Sequence, residues 1–353
     1  MDAEGNAEKP PVIRPSTAID DRASFGRDDE RLTDHAIDVE SARRLAADHA
    51  RRLGLTVLEP HVIRATHNLL VHLRPSAVLA RVARLSDSRR DALAHMRNEV
   101  RVARFLADRG APVVAPASVV HPGPYELGSV VVVSYWTYVE QLGSDDPTGA
   151  GRALARCHAL TRDRDLQLDT PPGTPAAEAL SIFTDLLERG VIERARGDRV
   201  AHSAELDLER VAALGLRQQV VHGDAHLENL LAGVRGPLWN DWEDTFVGPV
   251  EWDLACLVAT AQVTGAGRAR AESALRGYGL DRLESAVDVF IRLRAFQVGV
   301  WLLTMAARDP RMVERAEPWL AYAERRRRRV PRALADAWTR ASGNLRPRRG
   351  LRS

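Results

Sequence analysis

This chain of 353 residues has little cysteine, no long apolar run and no apolar N-terminal segment. Its two cysteines, Cys157 and Cys256, lie in apolar stretches with helical spacing. They are therefore expected to be buried small hydrophobes, which excludes a disulfide framework. No apolar run is long enough to predict a membrane-spanning helix. The first residues are polar and lack the apolar core of a signal peptide, so a cytoplasmic protein is expected.

Lysine is almost absent as well, because Lys9 is the only one among 50 basic residues. If the folded part of the chain binds a phosphate through a long cationic side chain, that side chain must therefore be an arginine. The formal net charge of +2 indicates neither a nucleic-acid partner nor its absence. The run Arg325–Arg329 is interpreted as the solvated C-terminal end of a helix, where cations are favourable. No nucleic-acid or membrane partner is expected.

Two short apolar runs, Gln219–Val221 and Gly236–Trp239, are typical of strands, and each ends in a cluster of acids and amides. In the first cluster Asp224 is followed five residues later by Asn229, and the second contains Asp241. Carboxylate and amide oxygens are the ligands that Mg²⁺ prefers. This pattern predicts magnesium-assisted phosphoryl transfer, in which one group orients a hydroxyl and others hold the metal.

The two clusters read HGDAHLEN and NDWED, and PVEWDLA follows them. These motifs resemble the catalytic segment of the aminoglycoside phosphotransferase and choline kinase-like family, which are small-molecule kinases with a protein-kinase-like fold. The resemblance implies that Asp224 is the catalytic base and that Asn229 and Asp241 bind the metal. It also implies that a helix-opening aspartate braces the catalytic loop. The residues expected to support the site in this way are His222, Glu243 and Asp253.

The first half of the chain carries the sequence signals of a nucleotide-binding lobe. Apolar runs at Thr56–Ile63, Leu69–Leu73 and Ala77–Val82 predict an antiparallel meander, and a helix is predicted over residues 88–109. In the resembling family, the first turn of the meander is a glycine-containing loop over the nucleotide phosphates. Here it reads ATHN and has no glycine, although Asn68 matches a family position.

Arg81 lies on the third predicted strand, where the resembling family has its phosphate-binding lysine. Glu99 lies in the predicted helix, where the family has the glutamate that pairs with that cation. Two other interpretations stay open from the sequence. Arg81 could face solvent as an ordinary strand residue, and Glu99 could pair with Arg101 or Arg104.

A second hairpin is predicted from Ser118–His121 and Ser129–Tyr135, and its apolar second strand leads to the hinge between the lobes. By resemblance, backbone groups from Ser134 to Trp136 are expected to contact the adenine edge. His158 lies in a helix that resembles a structural helix of the family, so it is predicted to be a core residue.

The predicted fold class is α+β, with a two-lobe, protein-kinase-like architecture. A small N-terminal lobe with an antiparallel sheet is expected over residues 34–140, and a larger, mostly helical lobe over residues 141–342. Residues 1–33 are interpreted as a disordered leader and residues 343–353 as a disordered basic tail.

The predicted reaction moves the γ-phosphate of ATP or GTP, with Mg²⁺ as cofactor, to a hydroxyl of a small molecule. Aminoglycosides, amino alcohols and sugars all remain open as acceptors, and so does the oligomeric state. One alternative is a hydrolase that binds a transition metal through His222, Asp224 and His226. The other is a nucleotide-binding regulatory module without turnover. The absence of the turn glycine and of the phosphate-binding lysine would agree with this alternative.

Overall fold

The computed structural model describes residues 37–65, 68–84, 89–128, 131–141, 143–169, 174–283, 286–307 and 309–325. The predicted leader, the predicted tail and all but the first residue of the basic run lie outside these ranges. So do Thr66 and His67 of the turn without glycine.

Five strands form an antiparallel sheet in the order β1-β2-β3-β5-β4. Two helices lie in the same part of the chain, one before β1 and one after β3. The bounds are α1 Val39–Arg52, β1 Val57–Ala65, β2 Asn68–Pro75, β3 Val78–Arg84, α2 Arg89–Ala107, β4 Tyr125–Leu127 and β5 Val131–Thr137. The predicted meander and the predicted helix over residues 88–109 are confirmed.

One face of the sheet packs against α1. In β2, Leu69, Val71 and Leu73 are buried and alternate with more exposed residues, which is the period of a strand with one covered face. Each such side chain contributes about 1.5–3 kcal/mol when it is fully buried. The short side chains of α1 let it lie close to the sheet; they are Ala42, Ala46, Ala47 and Ala50. This packing fixes β3, which carries Arg81, between β2 and β5.

The predicted hairpin strand Ser118–His121 is wrong. The partner of β5 on that side is β4, and residues 115–122 run beside β5 with isolated hydrogen bonds only. Ala117 N–H donates to the carbonyl of Tyr135, and Tyr135 N–H donates to the carbonyl of Pro122, both at 2.9 Å. Proline has no N–H and cannot extend a strand ladder. The prolines in and next to this segment are Pro112, Pro116, Pro122 and Pro124.

The second half of the chain is mostly helical. Its helices are α3 Pro147–Thr161, α4 Pro175–Glu188, α5 Arg194–Ala213, α6 Val250–Thr264, α7 Arg268–Tyr278, α8 Val287–Thr304 and α9 Arg311–Ala323. α6 and α8 are buried on nearly all sides and form the centre of this part. In the part of the chain that the structure describes, no helix is both long and apolar enough to cross a bilayer.

Two small antiparallel pairs lie between α5 and α6. β6 Gln219–Val221 pairs with β9 Phe246–Gly248, and β7 Leu230–Gly233 pairs with β8 Gly236–Trp239. A single 3-10 turn, Leu227–Asn229, joins β6 to β7. The segment after α2 also joins β8, since Val114 N–H donates to the carbonyl of Trp239 at 2.9 Å. These pairs place both polar clusters of the sequence beside the sheet.

Candidate active site

The two polar clusters meet because the β7–β8 hairpin brings their ends together. Leu230 pairs with Trp239 in this hairpin, and Asn240 N–H donates to the carbonyl of Asn229 at 3.0 Å. Asp241, the next residue in the chain, therefore lies beside Asn229. The two predicted metal ligands, twelve residues apart in sequence, lie at the same open end of one hairpin.

Asp253 holds the loop that carries Asp224. Its buried carboxylate accepts the backbone N–H groups of His222 at 2.8 Å and Gly223 at 2.9 Å. It also lies 2.8 Å from Nε2 of His158, whose Nδ1 lies 2.8 Å from the hydroxyl of Tyr278. His158 is thus a core residue, as predicted, and it orients the aspartate that braces the loop.

Gly223 is the turn that aims Asp224 away from β6. Its φ of +87° favours glycine, and an added Cβ would lie 1.9 Å from the carbonyl oxygen of Asp244. Trp252 donates from Nε1 to the carbonyl of Gly223 at 2.7 Å. Burial lowers the pKa of His222, whose Nε2 lies 3.0 Å from the carbonyl of Asn240. The neutral His222 ring thus links the first polar cluster to Asn240 of the second.

Asp224 is surrounded by three donors. Arg294 on α8 forms an ion pair with Oδ1, and Nε2 of His226 lies 3.2 Å from Oδ2. Asn229 donates from Nδ2 to Oδ2 at 3.0 Å. Burial acts to raise the pKa of Asp224, but Arg294 and His226 outweigh it and hold this pKa well below its usual range. Burial acts to lower the pKa of His226, yet Asp224 raises it to about 9.

Arg294 is the residue that the sequence analysis missed. No motif contains it, and α8 reads as an apolar core helix. One signal was available, since Arg292 and Arg294 stand inside that apolar sequence and a buried arginine needs a partner. Arg292 forms an ion pair with Asp207 on α5 at 2.6 Å, and Arg294 forms an ion pair with Asp224.

Arg81 on β3 is buried, not solvent-facing, and it joins three carboxylates. Its Nη1 lies 2.5 Å from Oε1 of Glu99 and 2.8 Å from Oδ1 of Asp241, and its Nη2 pairs with Glu243. Burial acts to lower the pKa of Arg81, but the three carboxylates raise it well above its ordinary value. Asn68 on β2 donates to Glu243 at 3.2 Å. The sheet and the second polar cluster are thus joined through one guanidinium.

The donor set fits a hard divalent cation. Asp241 has a left-handed φ of +65°, and its buried Oδ1 lacks an aligned hydrogen-bond donor despite the nearby guanidinium. Asn229 points its amide nitrogen at Asp224, which leaves its carbonyl oxygen available to a metal ion. Mg²⁺ commonly takes one or two protein ligands and completes its shell with water and phosphate. No group of three or more His, Cys, Asp or Glu side chains suited to a metal occurs among the described residues.

The predicted adenine contacts at Ser134 and Trp136 are not supported. Both residues are buried in β5, and their backbones face β3 opposite Arg81 and Leu79. Trp136 donates from Nε1 to Oγ of Ser134 at 2.9 Å. Because the strand ladder uses these backbone groups, an adenine edge would have to meet the chain after β5.

The sequence profile of the phosphotransferase enzyme family matches residues 64–290. No curated protein sequence matches the chain. Among solved structures, it resembles a choline/ethanolamine kinase family protein from Mesorhizobium loti, with TM-score 0.57, 17% identity, and 81% of this chain and 98% of that chain covered.

Two further structures are similar. An amicoumacin kinase in complex with AMP-PNP and Ca²⁺ gives a TM-score of 0.61 at 13% identity, over 82% of this chain and 96% of that chain. The GDP and kanamycin complex of an aminoglycoside phosphotransferase gives 0.56 at 13% identity, over 78% and 98%. At these identities the likeness shows the fold. The family profile extends from the end of β1 to the start of α8. The chain has a two-lobe α+β fold of the kinase type. It belongs to the phosphotransferase enzyme family, whose members are kinases with a hydroxyl acceptor.

Proposed function

We propose that this protein transfers the γ-phosphoryl group of ATP or GTP to a hydroxyl of a small molecule, with Asp224 at the acceptor. One observation carries the proposal. Asp224, Asn229 and Asp241 converge at one end of the β6–β9 and β7–β8 pairs, and the buried Arg81–Glu99 pair lies beside them. Phosphoryl transfer needs these parts, because its acceleration comes from positioning and charge stabilisation.

On the nucleotide side, Arg81 is the cation that would meet the phosphates, and Glu99 orients it. Asn229 and Asp241 would hold Mg²⁺, which when bound neutralises the negative charge of the phosphate oxygens. The similar structures with AMP-PNP and with GDP support a nucleoside triphosphate as the phosphate donor.

On the acceptor side, Asp224 acts mainly by orienting the hydroxyl. A carboxylate with a strongly lowered pKa is a weak proton acceptor. This is sufficient for a transition state in which little bond formation to the attacking oxygen has occurred. Arg294, His226 and Asn229 hold the carboxylate in one position, so that the hydroxyl is aligned before the transfer.

The regulatory alternative predicts nucleotide binding without turnover, but a binding module has no need for an aspartate fixed by three donors. The contacts of the two histidines argue against the hydrolase alternative. His226 faces Asp224 and Glu228 with its two ring nitrogens, and His222 faces Asn240 and the backbone of Asp224. Neither imidazole therefore has a nitrogen directed at a shared metal.

The test is ADP release from Mg·ATP with a panel of alcohols, comparing the wild type with Asp224→Asn. We expect the rate to fall by about 10²–10⁴-fold, the usual contribution of such a group. Glu317→Gln, which removes an exposed carboxylate that pairs with Arg196 and contacts none of the site residues named here, serves as the control. A rate for Asp224→Asn within tenfold of the wild type would remove Asp224 from the mechanism.

A further inference from the structure

The contacts of the Asp224 carboxylate leave one of its two oxygens open to an acceptor. Oδ2 lies 3.0 Å from Nδ2 of Asn229 and 3.2 Å from Nε2 of His226, so it is enclosed from both sides. Oδ1 meets Arg294 alone among the described residues. A carboxylate oxygen has room for about two hydrogen bonds. The acceptor hydroxyl is therefore expected at Oδ1, beside Arg294.

Arg294 links this oxygen to Gln297, which lies one turn further along α8. The Nη2 of Arg294 pairs with Asp224, and its Nη1 donates to Oε1 of Gln297 at 2.7 Å. Arginine has no acceptor atom, so the oxygen of the Gln297 amide must be the atom that faces it. The amide nitrogen, with its two N–H donors, therefore points away from the guanidinium. No hydrogen bond of that nitrogen occurs within the part of the chain that the structure describes.

Gln297 also lies where α8 meets solvent. It is one of three residues between Val289 and Leu303 that are not buried. Arg294 holds Asp224 and Gln297 through the two terminal nitrogens of one rigid, planar fork, so the amide of Gln297 lies next to the site of the acceptor hydroxyl. An acceptor oxygen close to that hydroxyl would meet the free N–H groups.

We propose that Gln297 binds the phosphate acceptor and helps to select it. With the reacting hydroxyl at Oδ1 of Asp224, the amide nitrogen of Gln297 donates to a second oxygen, on the neighbouring carbon of the acceptor or on the carbon after it. The acceptor class is therefore an alcohol with a nearby hydroxyl, ether or carbonyl oxygen, as in a sugar or a polyol. A simple alcohol without that oxygen is a poor acceptor. This assignment rests on the proposed phosphotransferase function.

The experiment uses the full chain with Mg·ATP and ring alcohols that differ only in the second oxygen. One series contains cyclohexanol, the vicinal cyclohexanediol and the monomethyl ether of that diol. Another series has the second oxygen one carbon further along the ring. Release of ADP gives kcat and KM, and saturation-transfer NMR with Mg·AMP-PNP gives binding without turnover. In at least one series, we expect KM of the wild type to be lower for the diol and the ether than for cyclohexanol by about threefold to tenfold, the effect of one hydrogen bond, and kcat to change less.

Gln297→Glu separates the contact with the acceptor from the contact with Arg294. The carboxylate still accepts from Arg294, but it has no N–H to donate to the acceptor. An ether oxygen has no proton to donate either, whereas a hydroxyl of the diol can donate to the carboxylate. The ratio of kcat/KM for the ether to kcat/KM for the diol should therefore fall by about tenfold. An effect of the new charge on all acceptors cancels in this ratio.

Gln262→Glu is the matched control. Gln262 is exposed near the end of α6, and its side chain forms no hydrogen bond with a described residue. The variant makes the same chemical change on the surface of another helix. It should leave the ratio of the ether to the diol as it is in the wild type.

Three outcomes would overturn the assignment while the protein still binds Mg·ATP. They are a KM that does not depend on the second oxygen in either series, a ratio of ether to diol that Gln297→Glu leaves unchanged, and binding of no member of either series. Failure of the proposed function would be different. The diol and the ether would then bind with Mg·AMP-PNP and respond to Gln297→Glu, but no ADP would be released from ATP. A protein that does not bind Mg·ATP at all would also contradict the proposed function.

Discussion

The guanidinium of Arg81 lies 2.8 Å from Oδ1 of Asp241, so the cation expected to meet the nucleotide is paired with the aspartate expected to bind the metal. Glu99 and Glu243 complete the pairing. Phosphates and Mg²⁺ would each replace one partner of this contact: the phosphates would take Arg81, and the metal would take Asp241. Nucleotide and metal binding are therefore expected to depend on each other.

Replacement of Arg81 tests this arrangement. Arg81→Met should weaken Mg·ATP binding by about 10–100-fold, the equivalent of one charged hydrogen bond. Arg81→Lys should recover part of the affinity, because lysine keeps the charge but loses the planar fork. Isothermal titration gives the affinities. Glu99→Gln should weaken binding less, and the double variant should lose less than the sum of the single losses. Strict additivity would contradict the Arg81–Glu99 pair as a functional unit.

The proposed metal ligands should change the metal requirement. Asn229→Ala and Asp241→Asn should each raise the Mg²⁺ concentration that gives half-maximal rate, because the first removes an oxygen ligand and the second removes the negative charge of one. Nucleotide affinity should fall when Mg²⁺ is present and change little in its absence. Titration of the rate with Mg²⁺ measures the effect, with Glu317→Gln as a distant control. An unaltered requirement in both variants would exclude this metal site.

Gly223→Ala should damage both stability and rate. A left-handed conformation alone costs an alanine about 1–2 kcal/mol, and here the added Cβ would also lie 1.9 Å from Asp244 O. The loop must then move, and Asp224 moves with it. Gly215→Ala is a matched control, since Gly215 has φ +58° and open space around the new Cβ. Urea unfolding measures the loss of stability, and kcat measures the loss of rate. Equal losses in Gly223→Ala and Gly215→Ala would contradict the close approach of Gly223 to Asp244.

Asp253→Asn should destabilise the protein by about 3–5 kcal/mol, because it removes a buried charge that three donors contact. Tyr278→Phe removes only the bond to His158 and should cost about 1 kcal/mol. Chemical unfolding of the two variants gives both values. Wild-type stability of Asp253→Asn would show that the catalytic loop is held by other contacts.

Glu251, in the first turn of α6, should make stability depend on pH. Burial raises the pKa of Glu251 from 4.5 to about 7. Between these values the folded state binds a proton that the unfolded state does not, so the free energy of unfolding falls as pH rises. The loss totals about 3 kcal/mol and is complete above pH ~7.

Glu251→Gln should remove that dependence and be more stable than the wild type above neutral pH. Unfolding at several pH values measures it, with Glu314→Gln, an exposed acid in the first turn of α9, as the control. An identical pH profile for Glu251→Gln and the wild type would contradict a buried, protonated Glu251.

Local patterns in the sequence were sufficient to predict most of the elements, and they also gave the residues proposed to react. The strand that carries Arg81, the helix that carries Glu99 and the loop from His222 to Asn229 all follow from apolar periodicity and short motifs. These are interactions between neighbours in the chain, which the order of residues specifies directly. The strand predicted at Ser118–His121 shows where local patterns fail. Its apolar residues have the pattern of a strand, but the nearby prolines prevent strand pairing.

The sequence by itself predicts that Asp224, Asn229 and Asp241 belong to one phosphoryl-transfer motif, since their spacing is that of a strand, a loop and a hairpin, and the folded chain brings the three together. Only the tertiary structure decided what surrounds them. Arg294 is 70 residues from Asp224, and His158 is 95 residues from Asp253. Such pairs depend on how α8 packs against α6 and how α3 packs against α7, which is fixed by many weak apolar contacts at once. No single stretch of sequence encodes those contacts, and so the partners of Asp224 and Asp253 appear only in the folded protein.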